Sequence, residues 1–136
     1  MKTKNIFIIG LLITMSIAAC KKDDTPTTPT ETITRADYVG SWSCTEVPLA
    51  KNLNFDCSIF IDATTTSNIR ISNFASLNDT AFAIVNGKSV ILPKQTYSGN
   101  TIEGYGNMEN KNFINWHYYV KNNTDSSAYN TTFNRK

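Results

Sequence analysis

The side chains of this 136-residue chain best suited to nucleophilic or metal chemistry are three cysteines and one histidine: Cys20, Cys44, Cys57 and His117. No histidine is near Cys44 or Cys57 in the sequence, which disfavours a metal site or a reactive thiol there. His117 has no serine or cysteine motif beside it, and no pair of acids has catalytic spacing. The sequence therefore predicts a protein that is not an enzyme and that has no cofactor or bound metal.

Lipidation is the chemistry that the surroundings of Cys20 predict. A short basic segment (residues 1–4) precedes the apolar run Ile6–Ile13, which is too short to span a bilayer and is typical of a secretory signal. The sequence Ile-Ala-Ala before Cys20 resembles the lipobox of bacterial lipoproteins, in which small residues admit the peptidase and the cysteine thiol accepts a diacylglycerol. The resemblance implies a signal peptide over residues 1–19 and membrane anchoring through acyl chains on Cys20.

Residues 20–34 are predicted to be the lipidated N-terminus and a flexible tether. Cys20 is followed by Lys-Lys-Asp-Asp, and a lysine at this point, rather than the aspartate of an inner-membrane retention signal, favours the outer membrane. The basic-then-acidic order resembles the surface-export signal of lipoproteins in Bacteroides-type bacteria, although a merely solvated tether explains it equally well. Residues 25–34 contain two prolines and no apolar period, as expected of an extended spacer. We expect a lipid-anchored outer-membrane protein that faces the surface or the periplasm.

Residues 35–136 are predicted to be one all-β domain. The pattern consists of short runs rich in β-branched and aromatic residues, broken by turn residues, without a helical period. The eight runs are Tyr38–Val47, Phe55–Asp62, Ser67–Phe74, Thr80–Val85, Lys88–Ser98, Thr101–Met108, Asn112–Lys121 and Ser127–Arg135.

The connections between these runs predict a meander of antiparallel strands. Asn86-Gly87 and Gly99-Asn100 are typical of two-residue hairpin turns, and Pro93 predicts a bulge because it cannot donate to a strand ladder. Closure into an eight-stranded up-and-down barrel would remove both sheet edges. A β-sandwich of the same strands is the alternative.

Cys44 and Cys57 are predicted to form a disulfide between the first two strands, because an exported protein meets an oxidising compartment. The expected register contains the pairs Cys44–Cys57, Trp42–Ile59 and Gly40–Ile61. It places the apolar side chains of the second strand, including Ile61, towards the interior and Asp62 away from it.

The segment Tyr38-Val-Gly-Ser-Trp42 resembles the Gly-x-Trp opening of the lipocalins and related calycins. In that superfamily the tryptophan lies at the closed end of an eight-stranded barrel, under a basic residue. The resemblance implies that Arg135 packs over Trp42, whereas simple strand pairing would bring Arg135 nearer Tyr38. The chain departs from the family in being short and in having no helix after the barrel.

Six apolar side chains are candidates to line a ligand site in the barrel: Trp42, Ile59, Trp116, Tyr118, Tyr129 and Phe133. The alternative is that they simply fill it. Strand alternation places His117 on the outer face, opposite Trp116 and Tyr118.

Thr80 is a candidate for glycosylation. Asp79-Thr80-Ala81 resembles the short O-glycosylation motif of exported proteins in Bacteroides-type bacteria, and an ordinary turn is the alternative.

Two classes of function are compatible with the sequence. One is a lipoprotein with a lipocalin-like domain that binds a small apolar ligand. The other is a non-catalytic accessory envelope lipoprotein that contacts another protein or a glycan. Nucleic-acid binding is disfavoured, because the net charge is only +2 and the basic residues form no stripe.

Overall fold

The chain folds into a closed eight-stranded antiparallel barrel, with β1 paired to β8 as well as to β2. The computed structural model describes residues 31–47 and 53–136, so the predictions for the signal peptide, Cys20 and most of the tether lie outside the described residues. The strands are β1 (Gly40–Val47), β2 (Leu53–Ile61), β3 (Asn68–Ser72), β4 (Thr80–Asn86), β5 (Ser89–Tyr97), β6 (Asn100–Asn110), β7 (Phe113–Lys121) and β8 (Ser126–Arg135).

The predicted all-β up-and-down barrel is confirmed, and the sandwich alternative is wrong. Each of the eight predicted runs corresponds to one strand, and all neighbours in the barrel except the closing pair β1–β8 are consecutive in the chain. The bulge expected at Pro93 is also present, because the β5–β6 register shifts between Leu92 and Gln95. No helix of the described ranges is long and apolar enough to cross a membrane.

Both predicted hairpin turns lie one residue away from where the sequence placed them. Asn86 pairs with Ser89 and Tyr97 pairs with Asn100, so the loops are residues 87–88 and 98–99. Each asparagine stays in its strand, and the left-handed backbone falls on Gly87 in one loop and on Ser98 and Gly99 in the other. The turns therefore form around the glycines, which adopt positive φ at no steric cost.

The predicted β1–β2 register is wrong by two residues. Trp42 lies opposite Cys57, Cys44 opposite Phe55, and Gly40 opposite Ile59. A slip of two leaves every side chain on its predicted face, so the apolar pattern cannot distinguish the two registers.

The last two residues of the predicted second run, Ile61 and Asp62, differ from the prediction in their burial. Ile61 is exposed, whereas Asp62 is buried. The strand ends at Ile61, and the Asp62 carboxylate accepts hydrogen bonds from the Thr64 backbone (2.8 Å) and hydroxyl (2.6 Å), which cover it. It also pairs with Arg70 at 2.5 Å, and these partners, with the Thr64 hydroxyl contributing most, lower the pKa of Asp62 to about 2.

A 3-10 helix, Arg35–Tyr38, closes one end of the barrel. Tyr38 is fully buried, and its hydroxyl donates to the carbonyls of Gly87 (3.1 Å) and Lys88 (2.8 Å) in the β4–β5 turn. Ile33, just before the helix, is buried in the same core. We call the end of the barrel that the 3-10 helix covers the closed end. The opposite end carries the β1–β2, β3–β4, β5–β6 and β7–β8 connections, and we call it the mouth.

Candidate functional site

The closed end has the arrangement that the lipocalin resemblance implied. Arg135 pairs with Trp42 across β1 and β8, and its guanidinium carbon lies 4.3 Å from the centre of the indole ring. The guanidinium also donates to the backbone carbonyls of Lys111 (2.6 Å), Val39 (2.8 Å) and Asp37. The prediction for Arg135 is confirmed, and the placement nearer Tyr38 is wrong. Arg135 therefore ties the 3-10 helix to the last strand.

The glycine of the Gly-x-Trp segment is needed in this structure for a steric reason. Gly40 has a φ of +143°, and a Cβ atom there would lie 2.6 Å from Nη1 of Arg135. A side chain would therefore be strained and would displace the arginine.

The six predicted lining residues all belong to, or pack against, one hydrophobic core, in which they occupy different places. Trp42 lies at the closed end, under Arg135. Trp116, Tyr118 and Phe133 are buried and lie around a seventh side chain, Phe74, that the sequence did not identify as a lining residue. Tyr129 is half-buried and stacks on Tyr118 with 5.5 Å between ring centres. The sixth, Ile59, is a buried core residue.

Phe74 enters the aromatic group from a loop. Its ring centre lies 4.7 Å from that of Tyr118, 5.3 Å from that of Trp116 and 6.1 Å from that of Phe133. The sequence predicted Phe74 as the last residue of the third strand, but β3 ends at Ser72. Phe74 belongs to the β3–β4 connection, residues 73–79, which we call the mouth loop.

The mouth loop has an unusual backbone. Asn73, Ala75, Ser76 and Asn78 all have positive φ, between 54° and 57°, a region that costs non-glycine residues of the order of 1 kcal/mol each. The base of the loop is anchored, since the Asn73 side chain donates to the Asp56 carbonyl (2.7 Å) and the Asn73 amide to the Asp79 carbonyl (2.7 Å). The cluster of Asn and Ser around Phe74 is the only sequence signal for such a loop.

A buried carboxyl group lies beside this aromatic group. Glu46 is the third inward residue of β1, after Trp42 and Cys44, and is almost fully buried. The Tyr118 hydroxyl donates to Oε2 of Glu46, and the Thr131 hydroxyl donates to the Tyr118 oxygen at 3.3 Å. Removal from water raises the pKa of Glu46, and the hydrogen bond from Tyr118 opposes this increase only in part. The inward parity of β1 was the signal that the sequence analysis missed.

The indole of Trp116 provides a further polar group inside the barrel. Its Nε1 is the one buried side-chain nitrogen or oxygen of the described residues without a hydrogen-bond partner. An unpaired buried donor is unfavourable in a permanently closed core.

Cys44 and Cys57 are adjacent in the interior despite the changed register. They are free thiols with their Sγ atoms 3.1 Å apart, and the predicted disulfide stays a prediction. The hydrogen bond with Cys44, together with burial, raises the pKa of the Cys57 thiol far above its usual value, so Cys57 is a poor nucleophile. In residues 31–47 and 53–136, no three His, Cys, Asp or Glu side chains are grouped as metal ligands would be.

His117 is on the outer wall, as predicted. Its Nδ1 lies 2.8 Å from Oδ1 of Asn130, and its Nε2 lies 3.2 Å from the Tyr119 hydroxyl. His117 and Asn130, together with Tyr105 and Asn115, border a depression of about 350 Å³ on β6, β7 and β8. We call Ile91, Tyr105, His117, Tyr119 and Asn130 the outer patch.

Thr80 is exposed as the first residue of β4. Its amide donates to the Asp79 carboxylate at 2.7 Å, and the other Asp79 oxygen accepts the Ser98 amide at 3.0 Å. The hydroxyl is accessible at the mouth, and its glycosylation stays a prediction.

No protein-family model matches the chain, and no match was found among curated proteins. The fold defines the class: a small closed eight-stranded antiparallel β-barrel, compatible with a lipocalin-like fold.

Proposed function

We propose that this protein is a lipid-anchored envelope lipoprotein whose barrel binds one small, largely apolar ligand behind the mouth loop. The observation that carries the proposal is the part of the chain to which Phe74 belongs. The side chain at the centre of the aromatic group comes from a loop with four left-handed residues, and not from one of the strands.

A loop side chain can leave the interior without breaking the barrel. The strand hydrogen bonds continue around the full circle, whereas loops open at a lower free-energy cost than the strands that carry them. Withdrawal of Phe74 would leave a space lined by Trp116, Tyr118 and Phe133, about the size of one aromatic ring. Apolar rings with a few polar groups are typical of small-molecule sites.

The anchor is the second part of the proposal and depends on residues 1–34 of the sequence. The signal over residues 1–19, lipidation of Cys20 and the tether to residue 34 would hold the barrel at the outer membrane, on the surface or the periplasmic side. The barrel would then take its ligand from the envelope or the surrounding medium.

The test compares the mature chain carrying Cys20→Ser with the same chain carrying Phe74→Ala or Phe60→Ala. Phe60 is exposed on β2, so it is the matched control. Binding of a neutral apolar fluorophore, N-phenyl-1-naphthylamine, is measured by titration. We expect Phe74→Ala to bind about tenfold more tightly than the parent, because the ring no longer competes for the site. Absence of binding to a folded Phe74→Ala variant would contradict the proposal.

Native mass spectrometry of the parent chain, exported in its own host, provides a second test. A bound molecule that is lost on denaturation would identify a natural ligand by mass.

A second candidate function is favoured by the outer patch. Tyr105, Ile91 and Tyr119 are 60%, 52% and 44% exposed, respectively, and they flank His117 and Asn130. An accessory lipoprotein would use such a surface to contact another envelope component, a protein or a glycan. Co-sedimentation with purified host envelope polysaccharide, which Tyr105→Ala with Tyr119→Ala should abolish, tests the glycan form of this function.

A further inference from the structure

Glu46 is a buried acid inside the barrel, and it has no part in the ligand binding proposed above. It is buried near the mouth end of β1. Tyr118 connects it to the ligand space, because the Tyr118 ring contacts Phe74 while the Tyr118 hydroxyl bonds to the Glu46 carboxyl. The position of the Phe74 ring, which we call the ring site, is therefore separated from the Glu46 carboxyl group by no more than one tyrosine side chain.

The described residues provide no cation for this acid. The ion pairs of residues 31–47 and 53–136 are Arg70–Asp62, Lys111–Glu31, Lys111–Asp37 and Lys136–Asp56, and none involves Glu46. A buried carboxylate without a counter-ion is strongly destabilising.

We propose that the ligand of the barrel carries a protonated amine on a short arm attached to one aromatic ring. The ring takes the place of the Phe74 ring, and the ammonium donates hydrogen bonds to the Glu46 carboxylate. This inference rests on the proposed function and specifies the ligand class for the same site.

The chemistry of Glu46 and its neighbours selects a cation over the alternatives. A carboxylate only accepts hydrogen bonds, so the complementary group must be a donor, and a charged donor bonds about twice as strongly as a neutral one. The Tyr118 ring, which contacts Phe74 and whose hydroxyl bonds to Glu46, provides an aromatic face that also attracts a cation once Phe74 withdraws. An anionic ligand would be repelled. Desolvation raises the pKa of Glu46, and an ammonium would restore its ionised form.

The experiment uses three probes of nearly the same shape and different charge: 2-phenylethylamine, 2-phenylethanol and 3-phenylpropionate. Each is titrated calorimetrically into the mature chain with Cys20→Ser, alone and with Phe74→Ala, which vacates the ring site. Glu46→Gln removes the charge and keeps the shape. Glu103→Gln, at an exposed site on β6, is the matched control.

We expect the Phe74→Ala chain to bind the amine about tenfold more tightly than the alcohol, and the acid least. Adding Glu46→Gln should bring the amine to the affinity of the alcohol, whereas Glu103→Gln should leave the preference unchanged. Tyr118→Phe should reduce the preference without removing it.

Equal binding of amine and alcohol would overturn this inference and leave the proposed function intact. Amine preference that persists in Glu46→Gln would also overturn it. Failure of all three probes to bind a folded Phe74→Ala chain would contradict the proposed function itself. If Phe74→Ala does not fold, Phe74→Leu, which loses the ring with a smaller change in volume, replaces it in every comparison.

Discussion

Glu46 lies in surroundings that a glutamate side chain rarely occupies. Glutamate is almost never fully buried without a partner, yet Glu46 is held inside the barrel by the hydroxyl of Tyr118. Parity along β1 placed it there, together with Trp42 and Cys44. Its burial therefore lowers the stability of the barrel at neutral pH.

The sign of this effect follows from the direction of the pKa shift. Burial raises the pKa of Glu46 above the value of 4.5 that it has when exposed. The native state therefore binds more protons than the unfolded state, and stability is lost as the pH rises from about 4.5 through the native pKa. Asp37 and Asp62 act in the opposite direction, because hydrogen bonds to Thr34 and Thr64, respectively, contribute most to lowering their pKa values to about 2. The stability they contribute is lost between about pH 4 and pH 2.

Glu46→Gln should accordingly change the pH dependence of stability. We expect the free energy of unfolding of the wild type to fall relative to that of Glu46→Gln between pH 5 and pH 8. Urea unfolding at pH 5, 6.5 and 8 measures the difference. The exposed control Glu103→Gln should follow the wild type, and parallel curves for wild type and Glu46→Gln would show that Glu46 is not desolvated.

At the scale of elements, Arg135 holds the 3-10 helix against the barrel. Its three hydrogen bonds to backbone carbonyls and its contact with Trp42 join β8, the β6–β7 turn and the segment before β1. Arg135→Met should reduce the free energy of unfolding by about 3 kcal/mol. Arg135→Lys should lose less, since it keeps the charge but not the planar set of donors.

The neighbouring Lys136 provides the control for Arg135. Lys136→Met removes only an exposed ion pair with Asp56 (2.7 Å), which should contribute less than about 1 kcal/mol. Urea titration of the three variants gives the comparison. Equal effects at positions 135 and 136 would rule out the joining role of Arg135.

The β1–β2 hairpin contains the predicted disulfide. The two Sγ atoms, 3.1 Å apart, need only a small approach to reach bonding distance. We expect protein exported by its host to have a mass two hydrogens below that of the reduced chain. Reduction should lower the free energy of unfolding by about 3 kcal/mol. The full reduced mass after export would mean that Cys44 and Cys57 remain a buried thiol pair.

At the scale of the whole molecule, the barrel and the proposed membrane anchor depend on different parts of the chain. Membrane attachment is proposed to depend on the lipidated Cys20. Wild-type protein should fractionate with the outer membrane, and Cys20→Ser should appear in the soluble fraction or remain an uncleaved precursor. Accessibility of the wild type to protease added to intact cells would distinguish the surface from the periplasmic side. Membrane association of a cleaved Cys20→Ser chain would contradict lipid anchoring.

The sequence by itself determined the strands and their faces. Alternation along β7 correctly placed Trp116 and Tyr118 inside and His117 outside, because a strand turns successive side chains to opposite faces whatever its partner. The short connections made neighbours in sequence neighbours in space, and closure followed from the need to remove the edges. The contact of Arg135 with Trp42 was also predictable, from the Gly-x-Trp resemblance.

Only the tertiary structure decided the features that combine distant residues. The two-residue shift in the β1–β2 register keeps each side chain on the same face of the sheet, so the apolar pattern cannot distinguish the two registers. The entry of Phe74 into the barrel depends on a left-handed loop, and the Asn and Ser residues around Phe74 indicate a turn but not the direction of the Phe74 side chain. Glu46 and Tyr118 are 72 residues apart in the chain, and they meet because the closed barrel brings inward residues of β1 and β7 to the same depth. Local periodicity decides which face a side chain takes, whereas closure of the sheet decides which side chains share the interior.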